Sequence, residues 1–81
     1  MMIGNYQIIR LEQLGDVNFA IGFNKNAVEP FGTWQSNGDD NYFFGHYFGD
    51  KDNANADFYK RISIYHRSKA ELKKLKEEEE R

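Results

Sequence analysis

Eighty-one residues suffice for one domain that buries only about 60 to 65% of its unfolded surface, which excludes a deeply enclosed active site and leaves a small stability margin. The absence of cysteine excludes disulfides, thiol chemistry and thiolate metal sites, and points to the cytoplasm. The net charge of −2 hides an asymmetry, three bases against eight acids over residues 1–57 and eight bases against five acids from Phe58 onward. A basic helix beside an acidic sheet neutralises itself, and the block Glu77 to Glu80 would repel a polyanion, so nucleic acid is not the favoured partner.

Met1 to Gln7 has neither a basic start nor an apolar run, and no window approaches the length of a membrane span, so neither export nor insertion is expected. Residues 6–14 alternate, with Ile9 and Leu11 on one side and Arg10 and Glu12 on the other, the pattern of a half-buried strand. Gly15-Asp16 supplies a turn. Val17, Phe19, Ile21 and Phe23 then recur at every second position, and the small Ala20 and Gly22 leave the second face either open or closely approached by something bulky. Asn24 to Pro30 reads as a loop, because Pro30 forces Glu29 out of the helical region.

Phe31 to Gln35 has strand character, and the Asn37-Gly38 signal that follows predicts a hairpin into the aromatic run Tyr42 to Phe48. In that run Tyr42, Phe44, His46 and Phe48 share one face while Phe43, Gly45 and Tyr47 share the other, with aromatics on both. Asp50 or Asp52 caps a helix starting near Asn53, whose stripe Ala54, Phe58, Ile62 and Tyr65 rests on the sheet. Ser68 to Glu71 matches a capping box, so the helix either breaks at Ser68 or runs on, with a continuous or slightly bent helix preferred. The Lys- and Glu-rich end, with i,i+4 pairs in the weaker order and acids at the negative end of the helix dipole, is expected to fray.

The fold these elements make is α+β, a four-stranded antiparallel meander with one long C-terminal helix on one face. Residues 1–67 form the domain and residues 68–81 a charged helical extension.

No motif carries catalysis, a metal or a cofactor. With two histidines and no cysteine a transition-metal site lacks ligands, and His46 inside an aromatic strand reads as a histidine satisfied by a nearby backbone or hydroxyl group. A calcium loop starting at Asp50 fails at Ala54, Asn55 and Arg61. Asp39 and Asp40 sit in a wet turn, which explains them better than acid-base chemistry does. The heptad of Phe58, Tyr65 and Leu72 is spoiled by Arg61 and Ser68, leaving Leu72 and Leu75 as the places for a coiled-coil contact.

Thr33-Trp34, Asn41 to Phe48 and Ala56 to Arg61, taken together, resemble a family of small uncharacterised proteins encoded on conjugative transposons, phages and related mobile elements of Firmicutes. The likeness covers about residues 5–67. It implies an origin rather than a reaction. The function expected is that of a non-enzymatic binding protein, a cytoplasmic accessory of a mobile element that acts on a host or element-encoded protein, and the resemblance with the small size makes inhibition of a host defence nuclease one version of it.

For a sheet covered on one side only, the candidate interaction face comprises Trp34, Phe43, Tyr47 and His46, offered to a protein partner or to a second copy of the chain. The alternative is a nucleic-acid-binding module that uses the basic stretch Lys60 to Lys76, with Lys60, Arg61 and Arg67 as its patch, or the open aromatic face.

Overall fold

The computed structural model describes residues 1–38 and 41–79, with side chains as far as Lys73. Asp39 and Asp40 of the turn, the end of the charged tail and the Leu75 side chain lie outside the described residues. Five strands, β1 (Met2–Ile3), β2 (Tyr6–Leu14), β3 (Val17–Phe23), β4 (Phe31–Ser36) and β5 (Phe43–Phe48), are followed by α1 (Lys51–Glu79). The strands pair antiparallel in the order β1-β2-β3-β4-β5. This is the expected α+β meander with one added strand. A two-residue strand is too short to carry alternation, but the Gly4-Asn5 turn that joins Ile3 to its partner Tyr6, with Gly4 at φ 55°, is a hairpin signal visible in the chain.

The helix crosses β3, β4 and β5 on a single face. Asp50 starts it by accepting the Asn53 backbone N–H at 2.7 Å on its carboxylate, so the first helical residue is Lys51 rather than one near Asn53. It then runs without interruption through Ser68 to Glu79. Phe19 and Ile21 from β3 meet Ala54 and Phe58 from α1 as the buried core, and Leu14, Val17, Phe31, Phe48, Ile62 and Tyr65 pack around them. The helical stripe and the β3 alternation therefore lie where the pattern put them.

Along β2 the inside and outside are reversed. Arg10 pairs with Ile21 on the helix side, while Leu11 pairs with Ala20 on the far face, and a bulge between Ile8 and Arg10 sets this register. Ile9 and Leu11 are consequently half exposed. Arg10 lays its guanidinium 5.0 Å from the Phe58 ring and 4.9 Å from the Tyr59 ring, closing the side of the core with a charged group that still reaches water. Alternation alone cannot distinguish a long basic side chain that covers a core from one that points away from it.

Candidate functional site

Two clusters, one on each face of the sheet, take up most of the side chains that the sequence marked out. On the uncovered face Trp34 lies across three glycines from three neighbouring strands. A Cβ at Gly22 would stand 2.8 Å from its Cζ3, one at Gly32 2.4 Å from its Cη2, and one at Gly45 2.7 Å from its Nε1. The bulky approach that Ala20 and Gly22 left room for is this indole. Tyr6 and Tyr47 roof it edge-on, with ring centroids 5.3 and 5.8 Å away, and the Tyr6 hydroxyl donates to the Glu29 carbonyl at 2.8 Å. Burial, then the neighbouring Tyr47 and Glu29, push the Tyr6 pKa up and keep it a phenol.

Trp34 is 4% exposed as a result. The expected interaction face is thereby corrected on two counts. Trp34 belongs to a small second core rather than to a surface, leaving Tyr47 as the half-exposed member on that side. His46 pairs with Thr33 on the opposite, helix-covered face, and Phe43 is brought opposite Gln35 on that same face. His46 follows from plain alternation against Tyr47, while Phe43 is moved by a bulge in β5, where four residues from Phe43 to His46 stand against three from Thr33 to Gln35. Its marker is Phe44, at φ 54°, the one non-glycine with positive φ among the described residues.

The helix-side cluster centres on Asp57. Its Oδ2 accepts from Thr33 Oγ1 at 2.5 Å and from Arg61 Nε at 3.0 Å, and the His46 Nδ1 stands 3.1 Å from both carboxylate oxygens. Burial by itself would raise this carboxyl, but the bonds from Thr33, Arg61 and His46, with the Arg61 charge, outweigh it and hold the Asp57 pKa below the ordinary carboxylate value. Arg61 also donates from Nη1 to Gln35 Oε1 at 3.0 Å and from Nη2 to the carbonyl oxygen of Phe44. One ion pair thus ties α1 to β4 and β5 and fixes the bulge. His46, read from sequence as satisfied by backbone or hydroxyl, is instead oriented by a carboxylate, and its side chain is 55% exposed.

The basic patch is corrected in the same way. Arg61 is 8% exposed and bonded through each of its three nitrogens, so only Lys60 and Arg67 of the three face water. The i,i+4 spacing of Asp57 and Arg61 was the available signal for this pair. For Phe44 no sequence signal exists, because a left-handed phenylalanine is a consequence of register.

Beside this cluster a groove of about 500 Å³ runs between α1 and the sheet, with Phe44 and His46 on one wall and Lys60, Ile64 and Ser68 on the other. Phe44 is 68% exposed and Ile64 47%. Among the described residues no three carboxylate or imidazole side chains gather as a metal site, and no helix is long and apolar enough to cross a membrane. Comparison with protein families, with curated proteins and with solved structures finds no match to this chain.

Proposed function

We propose that this chain is a non-enzymatic protein-binding module whose contact site is the groove between α1 and the sheet, with Phe44 and Ile64 as its apolar contacts. The observation that carries the reading is Phe44. A non-glycine residue at φ 54° costs about 1 to 2 kcal/mol, and here that conformation turns a mostly exposed phenyl ring to the mouth of a groove while Arg61 holds its carbonyl from behind. A rigidly mounted exposed aromatic next to a second apolar side chain is the arrangement that dominates binding energy in protein interfaces. Asp57, the one carboxylate lining the groove, is committed to three donors, which argues for a positioning task over proton transfer. With the mobile-element resemblance included in the reading, the partner is a protein of the host or of the element.

The test is a selection of displayed random peptides on the wild-type protein, followed by titration of the enriched sequences against Phe44→Ala, Ile64→Asp and, on the far face, Leu11→Ser. The reading expects both groove substitutions to weaken binding by roughly tenfold or more, as loss of a central apolar contact does, with Leu11→Ser neutral. Enriched peptides indifferent to both groove changes, or no enrichment at all, would refute it.

A further inference from the structure

We propose that the groove receives an extended acidic segment of a partner chain, added to the sheet as a sixth strand along β5 and steered by Lys60. This inference rests on the groove being the contact site and goes on to name the form and charge of what enters it.

The form follows from the sheet edge. β5 is the last strand, with β4 on one side and no strand on the other among the described residues. Natural edges are usually blocked by proline, by lysine or by a covering loop. Phe43 to Phe48 contains neither proline nor lysine. Its one irregularity among the described residues is the bulge, which turns the Phe44 carbonyl inward to Arg61 and leaves His46 to Phe48 as regularly paired strand. A peptide laid along this edge makes backbone hydrogen bonds whatever its sequence, while every second side chain points to the helix side, where the space between Phe44 and Ile64 takes an apolar group.

The charge follows from a count of the groove walls. Asp57 and Arg61 cancel each other at 3.0 Å. Among the described residues Lys60 is then the uncancelled charge of the groove, exposed, with the His46 ring across from it and no second carboxylate lining it. In a chain of net charge −2 this is a local positive site, and the complementary occupant is acidic. A nucleic acid also carries negative charge, but it needs several cations in a row to neutralise successive phosphates, and Arg61 is withdrawn from that row.

The experiment uses short fluorescent peptides of repeating Val-Thr-Glu-Thr, which set valine and glutamate on the same face of a strand, the same peptides with lysine for glutamate, and a labelled single-stranded oligonucleotide, titrated by anisotropy against wild type, Lys60→Glu and Ile64→Asp. Hydrogen exchange of the β5 amides is followed in parallel. Expected are binding of the glutamate peptide over the lysine peptide, a loss of roughly threefold to tenfold in Lys60→Glu as for an exposed charge reversal, and slowed exchange in His46 to Phe48. Peptide binding that Ile64→Asp abolishes, but without charge preference or without β5 protection, would overturn the strand-addition inference and leave the groove as contact site. Absence of binding by either peptide, or binding of the oligonucleotide in their place, overturns the inference, and the groove reading is then judged by its own peptide selection.

Discussion

The seat of Trp34 lends itself to a single-atom test, the change Gly32→Ala. The added Cβ would stand 2.4 Å from Cη2, 2.8 Å from Cζ2 and 3.1 Å from Cζ3 of the indole. Ordinary contact begins at 3.4 Å, so the ring must lift by about 1 Å, and Tyr6 and Tyr47 already occupy the space it would lift into. Gly32 has no left-handed φ, so the penalty is steric only and the helix-side core is untouched. Overpacking of this kind costs roughly 1 to 3 kcal/mol if the ring shifts within its seat. Expulsion of the ring returns about 200 Å² of apolar surface to water, roughly 5 kcal/mol at 25 cal/mol per Å². Either value is a large share of the stability of so small a domain. Trp34 is the single tryptophan, so urea unfolding followed by its fluorescence reports on stability and seating together. The variant is expected to lose at least 1 kcal/mol and to shift its native emission to the red, and Trp34→Leu in the same chain, its unfolding followed by circular dichroism because the tryptophan is gone, is expected to cost less than the sum of the two changes. An unchanged midpoint with unchanged emission, or strict additivity, would refute the account of the three-glycine seat.

Phe44→Gly removes a ring that is largely exposed and relieves a left-handed backbone, so unfolding stability is expected within about 1 kcal/mol of wild type while groove-directed peptide binding falls; a loss above roughly 2 kcal/mol would make Phe44 a core residue. Because the folded pKa of Asp57 lies below its unfolded value, its contribution is present above the ordinary carboxylate value of 3.8 and is lost as pH falls through the depressed folded pKa. Asp57→Asn is therefore expected to flatten the acid limb of the stability-pH profile and to cost roughly 2 to 3 kcal/mol at neutral pH, where Thr33 and Arg61 lose a charged acceptor; an unaltered acid limb by circular dichroism would count against the network. Truncation at Ser68 is expected to leave a cooperative thermal transition, since the described residues beyond Arg67 are exposed, and its loss would assign Leu72 to the core or to a contact between copies.

How far these residues could be read in advance depends on the range of the interaction that places them. The β3 alternation, the turn at Gly15-Asp16, the cap at Asp50 and the stripe Ala54, Phe58, Ile62 and Tyr65 are local, set by periods and turn chemistry a few residues long, and they define the α+β meander and its helix-side core. Thr33, Trp34, His46, Tyr47 and Asp57 could be singled out as residues, but not the two separate clusters they form. Strand register decides that, and a bulge of one residue moves a side chain to the other face: the bulge in β5 carries Phe43 to the helix side and sets Phe44 at the groove, and the bulge in β2 brings Arg10 over Phe58 and sends Leu11 out. Nor can composition show that three glycines far apart in the chain become adjacent and seat one indole, or that Arg61 is drawn from a basic run into a buried ion pair. Those outcomes depend on contacts between residues distant in sequence, whose geometry exists only once the helix has packed across β3, β4 and β5.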